Sequence, residues 1–180
     1  SRFLFSGSCS VYGKGDKLDL EETDPIHPLT AYARSKVETE KAVSKMADEQ
    51  FSPIFLRNST AYGYSPMLRI DLVVNNLLGS VHAYNEIRIK SDGTPWRPLV
   101  HARDIARAFV AFCKAPREVT HNRIINIGGN DENYQVKTIA DQIRQLVPDS
   151  NIVFTNEVGE DPRNYRVKFD LLHQLLPDFR

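Results

Sequence analysis

A tyrosine and a lysine lie four residues apart in the segment LTAYARSK, at Tyr32 and Lys36. Side chains at this spacing on a helix share one face, roughly 5–6 Å apart at their Cβ atoms, so both can act on one molecule. A neighbouring ammonium lowers the pKa of a phenol, which must fall from about 10 to about 7 for a base at neutral pH. The pair predicts acid–base chemistry, although a packed tyrosine beside a solvated lysine also occurs by chance in many helices.

The composition excludes several classes of protein. Lysine plus arginine equals aspartate plus glutamate at 23 each, so no excess charge attracts nucleic acid or an acidic membrane. No apolar run approaches the roughly 20 residues of a membrane span. Cys9 and Cys113 lack Cys-x-x-Cys spacing and the five histidines lack metal-ligand spacing, which argues against a disulfide framework or a metal site. We therefore expect a cytoplasmic protein without metal, nucleic acid or membrane.

Strands alternate with helices along the chain, a pattern typical of a parallel sheet with helical crossovers. Strands are predicted at RFLFSGS, SPIFLRNSTAYG, EIRIKS, RIINIGG and NIVFT. Helices are predicted over residues 31–50 after Thr30 as N-cap, 70–84, 104–115 after Asp104 as N-cap, 137–147 and 169–176. The helix at 104–115 should bury one apolar stripe, made of Ile105, Ala106, Phe109, Val110, Phe112 and Cys113.

The segment FLFSGSCSVYG, followed after a charged loop by TAYARSK, resembles the active-site half of the extended short-chain dehydrogenase/reductases. This family includes NAD-dependent sugar-nucleotide epimerases and dehydratases, and FLRNSTAYG, VVNNLL, DGTPWRPLVHARDIARAF, NIGG and DPRNYRVKFD are similar to its later segments. The resemblance implies an α/β fold: the C-terminal part of a Rossmann-type parallel sheet with helices, plus a small α/β substrate-binding domain. Residues 1–65 and 99–130 would form the first part, and residues 66–98 and 131–180 the second.

The resemblance also implies roles for residues near the cofactor. Tyr32 would be the catalytic acid and base at a sugar oxygen. Lys36 would lower the tyrosine pKa and hydrogen-bond the nicotinamide ribose. Ser8 would share a hydrogen bond with the reacting oxygen. Asn58 and Ser59 would line the nicotinamide end of NAD, and NADP is not excluded.

A second set of residues would bind a nucleotide-diphosphate sugar. Asn76 matches a position near the substrate phosphate and Arg97 matches a diphosphate-binding arginine, with Arg163 as a second cationic contact. The planar fork of arginine suits phosphate oxygens through paired charge-assisted hydrogen bonds. Thr60 stands where many epimerases have an asparagine that touches substrate.

The serine motif helps to choose among reactions. The 4,6-dehydratases of this family read Thr-Asp-Glu where this chain has Ser8, Cys9 and Ser10, and elimination of water needs the additional acid and base. The motif therefore favours an epimerase that works through a transient keto sugar. A sugar-nucleotide dehydrogenase or ketoreductase would use the same residues, and the sequence does not separate the two.

A dinucleotide site in this fold requires Gly-x-Gly-x-x-Gly at its first strand-to-helix turn, and this sequence contains no such motif. Because the first strand resembles one that lies late in the family's sheet, we expect about 100 upstream residues to be missing. The chain is then the C-terminal portion of an enzyme. The resemblance also implies that the intact enzyme is a homodimer, formed through the helix that carries Tyr32 and a neighbouring helix that this sequence lacks. The alternative is a truncated, inactive substrate-binding fragment.

Overall fold

The structure, a computed structural model, describes residues 1–15, 17–155, 163–177 and 179. Its strands are β1 (Arg2–Ser8), β2 (Ser52–Asn58), β3 (Thr60–Tyr62), β4 (Glu86–Ile89), β5 (Trp96–His101), β6 (Arg123–Ile127), β7 (Asn133–Gln135) and β8 (Asn151–Phe154). Its helices are α1 (Ala31–Ser44), α2 (Val73–Tyr84), α3 (Ala102–Lys114), α4 (Arg117–Thr120), α5 (Val136–Leu146) and α6 (Asp170–Leu175). A short 3-10 helix, Cys9–Tyr12, follows β1.

The main sheet has the order β1-β2-β6, and all of its pairings are parallel. The register places Ser8 beside Asn58 and Asn58 beside Ile127, so the three strands end at one edge. A second sheet has the order β3-β5-β7, with β7 antiparallel, and a third pairs β4 with β8 in parallel. The alternation in the sequence therefore forms the predicted α/β fold with a parallel sheet.

Three apolar clusters hold these layers together. The first joins β2 and β6 to α3 and α6 through Phe112, Ile125 and Leu172, among others. The second packs the 3-10 helix against residues 165–169, and the third joins α2, α5, β4 and β5. Residues 165–172 thus pack against the predicted Rossmann part, whereas their assignment to a substrate-binding domain stays a prediction.

Several helix boundaries differ from those expected: α2, for example, begins at Val73 rather than at residue 70, and two other differences have a local cause. The helix predicted over 31–50 ends at Ser44, and the side chain of Asp48 then accepts hydrogen bonds from the backbone N–H groups of Gln50 and Phe51, at 2.7 and 2.6 Å. Such a local side-chain turn competes with continued helix. The prediction of Asp104 as N-cap is also wrong, because β5 runs directly into α3. The ring of His101 accepts from the N–H of Arg103 at 3.1 Å and caps that helix instead.

The apolar stripe predicted on α3 is only partly buried. Phe112 is fully buried, and Ile105 and Phe109 are half-buried against the first cluster. Ala106, Val110 and Cys113 are exposed instead. The sheet covers a narrower face of α3 than the sequence predicts.

Candidate active site

A cleft of about 830 Å³ opens where β1 and β2 end. Ser8 is the last residue of β1, Asn58 is the last of β2, and both line the cleft together with Ser59 and Thr60. Ligands of parallel α/β sheets bind outside the carboxyl ends of the strands, because the loops that leave the sheet diverge there. The site residues that the sequence predicts at the ends of β1 and β2 thus lie together at the opening of this cleft.

Tyr32 reaches this cleft from α1, and Lys36 lies beside it, one turn further along the helix. The side chain of Thr30 accepts from the N–H of Ala33 at 3.1 Å, which starts the helix so that Tyr32 lies in its first turn. Tyr32 is 55% exposed and lines the cleft. The Nζ of Lys36 lies 5.5 Å from the centroid of the tyrosine ring and donates to the carbonyl of Ser6 at 2.8 Å. The i, i+4 spacing therefore produces a real pair at the sheet edge.

Two serines lie side by side at the end of β1. The hydroxyl of Ser8 accepts from the N–H of Ser10 at 3.2 Å and caps the 3-10 helix. The hydroxyl of Ser10 is buried, lines the cleft and has no hydrogen-bond partner among the described residues. Gly13 then ends the helix at φ 61°, where a Cβ would lie 1.8 Å from the carbonyl oxygen of His27. Sequence reasoning missed Ser10 as a contact, although it belongs to the same serine motif.

Asn58 presents an unused acceptor at the same edge. Its Nδ2 donates to the hydroxyl of Ser6 at 3.1 Å and to the carbonyl of Gly7 at 3.3 Å. Its Oδ1 is buried and has no partner among the described residues. Ser59, in contrast, is 5% exposed, and its hydroxyl lies 3.9 Å from the Sγ of Cys9. Asn58 is thus better placed than Ser59 to offer a polar atom to a ligand.

The four residues expected to bind substrate line this cleft as well: Thr60, Asn76, Arg97 and Arg163. Arg97 is 7% exposed, and its Nη1 donates to the carbonyls of Trp96 and Arg163 at 2.7 and 2.6 Å, so its guanidinium is held in place. The structure also distinguishes Asn76 from its neighbour Asn75. The Asn75 side chain is buried and bonds the backbone of Gly63 and Arg69, at 3.2 and 3.0 Å.

Comparison with known proteins supports the resemblance given by the motifs. Residues 1–128 match the sequence model of the NAD dependent epimerase/dehydratase family. The chain belongs to this family.

Relatives of this family member are sugar-nucleotide enzymes. It is 26% identical to the UDP-glucose 4-epimerase of Corynebacterium glutamicum over 159 residues, which are 81% of this chain and 48% of that protein. It is 28% identical to the UDP-glucose 4-epimerase of Homo sapiens over 143 residues, 69% of this chain and 41% of that protein. The chain thus spans about half the length of the curated relatives it matches.

Solved structures share the fold of this family member. The UDP-glucuronic acid 4-epimerase of Bacillus cereus, in complex with UDP-glucuronic acid and NAD, has a TM-score of 0.86 at 22% identity, covering 100% of this chain and 56% of that one. TunA, an NAD dependent NDP-hexosamine 5,6-dehydratase, has a TM-score of 0.85 at 22% identity, covering 97% and 56%. These likenesses confirm the α/β fold and, at such identities, establish the fold alone.

Several residues of the cleft carry no sequence signal of their own. Tyr165 lines it, as do three further cations, Arg69, Arg88 and Lys90. Among the described lining residues only Asp71 carries a carboxylate, and bidentate hydrogen bonds from Arg69, both at 2.7 Å, lower the pKa of Asp71 to about 2. Arg69 precedes α2, whereas Arg88 and Lys90 lie on β4 and directly after it, so only the fold reveals that the cleft is cationic and suited to an anionic ligand.

Neither a metal site nor a membrane span is found among the described residues of this family member. The described part of the chain holds no group of three His, Cys, Asp or Glu side chains that could bind a metal ion. Across the same residues, no helix combines the length and the apolar character needed to cross a membrane.

Proposed function

We propose that the full-length protein containing this chain is an NAD-dependent epimerase of a nucleotide-diphosphate sugar, working through a transient keto sugar. One observation carries the proposal: a single cleft gathers a tyrosine paired with a lysine at the sheet edge and a set of cations along its wall. The first group suits proton transfer at a sugar oxygen, and the second suits a diphosphate.

The chain's residues fit one end of NAD. Ser6, Lys36 and Asn58 surround the end of β1, and the buried, unpartnered Oδ1 of Asn58 suits the amide donor of a nicotinamide. Lys36 and Tyr32 would hold the adjoining ribose. When bound, NAD supplies the acceptor and donor of a hydride at a sugar carbon. The glycine turn that receives the pyrophosphate is not part of this sequence.

Tyr32 would handle the proton that accompanies the redox step. Its phenolate oxygen accepts the proton of the sugar hydroxyl as the carbon is oxidised, and returns that proton as the keto oxygen is reduced. The Lys36 ammonium stabilises the negative charge on the tyrosine oxygen before this transfer. The hydroxyl of Ser8, on the facing strand end, would hydrogen-bond the reacting oxygen and fix its direction.

The cationic wall would hold the other half of the substrate. Arg97 is fixed by two backbone carbonyls, and Arg163 and Asn76 line the same wall, so a diphosphate would meet donors that need little ordering. Holding the nucleotide at this wall leaves the sugar free to present either face at the tyrosine. An epimerase needs such freedom, because the hydride must return to the opposite face.

A dehydrogenase or ketoreductase of the same substrates is the second candidate. It would use Tyr32, Lys36 and Ser8 in the same way without turning the sugar over. Ser10, in place of a glutamate, disfavours 4,6-dehydration because a serine hydroxyl is a poor general acid and base at neutral pH. The third candidate is a chain that binds the sugar nucleotide and catalyses nothing.

A panel of sugar nucleotides separates these candidates. The full-length protein is incubated with NAD and UDP- or dTDP-linked sugars, and products are resolved by chromatography. An epimerase forms the epimer without a net change in absorbance at 340 nm, whereas a dehydrogenase gives a net increase in this absorbance.

Tyr32→Phe should abolish turnover and leave the Kd for UDP unchanged. Tyr84→Phe, an exposed tyrosine on α2, is the matched control and should retain full turnover. Normal turnover by Tyr32→Phe would remove the tyrosine from the mechanism.

The 180-residue chain alone should bind NAD weakly or not at all, because its sequence has no glycine-rich turn for the pyrophosphate. UDP should bind more tightly than NAD, since the cationic wall belongs to this chain. Calorimetric titration of both ligands measures the difference. Tight NAD binding would contradict the expectation.

A further inference from the structure

A buried ion pair lies behind the cleft and takes no part in it. Glu40 of α1 and Arg57 of β2 are 4% and 3% exposed, and the guanidinium contacts both carboxylate oxygens at distances between 2.7 and 3.2 Å. Glu40 follows Lys36 by four residues and Tyr32 by eight, so it lies one and two turns further along the same helix.

The same guanidinium reaches the serine segment. Its Nη1 donates to the hydroxyl of Tyr12 at 3.2 Å, and its carbon lies 5.3 Å from the centroid of that ring. Tyr12 is fully buried and is the last residue of the 3-10 helix that Ser8 caps. The Tyr12 hydroxyl in turn donates to Oδ1 of Asn126 on β6 at 2.8 Å.

Arg57 also belongs to the segment that carries Asn58 and Ser59, because these two residues follow it directly. Close packing leaves little freedom at this point. A Cβ on Gly7 would lie 3.1 Å from Oε1 of Glu40, so the absence of a side chain lets α1 approach β1 just before Ser8. One guanidinium therefore joins three segments. The first carries Tyr32 and Lys36, the second carries Ser8, and the third carries Asn58 and Ser59.

Stability alone does not explain such a pair. Removing two charges from water costs free energy, and well-packed apolar replacements of buried ion pairs are often neutral or stabilising. A forked guanidinium, however, fixes direction as well as distance, because its donors lie in one rigid plane. Misplacing a catalytic group by about 1 Å can cost about 10²-fold in rate.

We propose that Arg57 is a positioning residue, which sets Tyr32 and Lys36 against Ser8 and Asn58 through its contacts with Glu40 and Tyr12. The catalytic part of this inference rests on the proposed function, whereas the positioning itself does not.

Two variants test the proposal. The double variant Glu40→Leu/Arg57→Met removes both charges together, and Arg57→Lys keeps the charge but lacks the fork that contacts Glu40 and Tyr12 at once. Ser52→Ala is the matched control: Ser52 is also buried on β2, at the end remote from the cleft, and its hydroxyl contacts His121 at 3.0 Å. Melting temperature and the Kd for UDP establish that each variant is folded with an intact wall.

The first measurement is the 19F NMR spectrum of the chain labelled with 3-fluorotyrosine, in which Tyr32→Phe identifies the Tyr32 signal and exposed Tyr84 is the internal reference. The Tyr32 signal should shift or broaden in the double variant and in Arg57→Lys, and stay unchanged in Ser52→Ala. An unchanged Tyr32 signal in either folded Arg57 variant would overturn the proposal. If the double variant does not fold, Arg57→Lys decides.

The second measurement is turnover of the full-length protein with UDP-glucose. We expect kcat to fall at least tenfold in both Arg57 variants, with KM and the Kd for UDP within about threefold of wild type, while Ser52→Ala retains its kcat. A kcat at the wild-type level in a folded Arg57 variant would overturn the proposal. No turnover of any panel sugar by the wild type would refute the proposed function, and the NMR measurement would still decide the positioning.

Discussion

Two of the tyrosines that lie beside a cation can be compared: Tyr32 with Lys36 at the cleft, and Tyr12 with Arg57 behind it. The cation lies 5.5 Å from the ring centroid in the Tyr32–Lys36 pair and 5.3 Å in the Tyr12–Arg57 pair. Tyr32 is 55% exposed, whereas Tyr12 is fully buried. The distances from ring to cation are alike, whereas the hydrogen bonds and the burial of the two pairs differ.

The polar groups of the buried pair are hydrogen-bonded to neighbouring residues. Burial raises the pKa of Tyr12 and the charge of Arg57 only partly opposes this, so Tyr12 stays a neutral donor to Asn126. Burial also disfavours the charged form of Arg57, but Glu40 and Tyr12 raise its pKa and keep it charged. The cleft pair keeps its tyrosine hydroxyl beside open space. Position relative to the sheet edge thus separates the pair that we propose to be reactive from the buried one.

The largest expected effect comes from breaking the buried pair on one side. Glu40→Ala leaves the Arg57 charge buried without its carboxylate, which should lower the free energy of unfolding by about 3–5 kcal/mol. Urea denaturation measures the loss. The matched control is Glu38→Ala, because Glu38 pairs with Lys41 on the exposed face of α1 and should change the stability by less than about 1 kcal/mol. Equal effects of the two variants would show that burial of Glu40 is unimportant.

Breaking the cleft pair should affect turnover and spare stability. Lys36→Met keeps the aliphatic part of the side chain and removes the charge beside Tyr32, so kcat of the full-length protein should fall by about 10²-fold. Thermal melting should stay near wild type. Lys41→Met, on the exposed face of the same helix, should keep its kcat. A Lys36→Met variant that loses stability but no turnover would reverse the roles assigned to the two pairs.

The cleft pair follows from the sequence because its signal is local. A helix start at Thr30 and a spacing of four residues are enough to place Tyr32 beside Lys36. The parallel strands that end at Ser8 and Asn58 also follow, because apolar runs that alternate with amphipathic segments indicate a parallel sheet.

The buried pair does not follow from the sequence. Glu40 and Arg57 are 17 residues apart, and charged residues are usually exposed, so nothing local marks them as buried partners. The extra cations of the cleft and the partnerless hydroxyl of Ser10 depend on tertiary contacts in the same way. The sequence predicts the wrong N-cap for α3 because aspartate is in general preferred to histidine at that position, whereas here β5 ends at His101, which caps the helix.

A smaller effect should follow from removing a single hydroxyl of the buried pair. Tyr12→Phe keeps the ring beside Arg57 but leaves Oδ1 of Asn126 without its donor, which should cost about 1–2 kcal/mol of stability. Denaturant unfolding checks this value. Tyr84→Phe, whose hydroxyl is exposed, should be neutral. If Tyr12→Phe leaves the free energy of unfolding unchanged, the Tyr12 hydroxyl does not stabilise the contacts behind the cleft.

The smallest effect is expected at Cys9, the buried thiol of the serine motif. Here a buried and an exposed residue of one type, Cys9 and Cys113, can be compared directly. Burial raises the pKa of Cys9 to about 12, so at pH 8 only about one thiol in 10⁴ is ionised. Ellman's reagent at pH 8 should therefore label the exposed Cys113 of the folded protein and leave Cys9 unlabelled, and both should react in guanidinium chloride. Cys113→Ser should abolish the reaction of the folded protein. Rapid labelling of Cys9 in that variant would show that the core behind Ser8 opens readily, and a core that opens could not hold Tyr12 and Arg57 as a fixed pair.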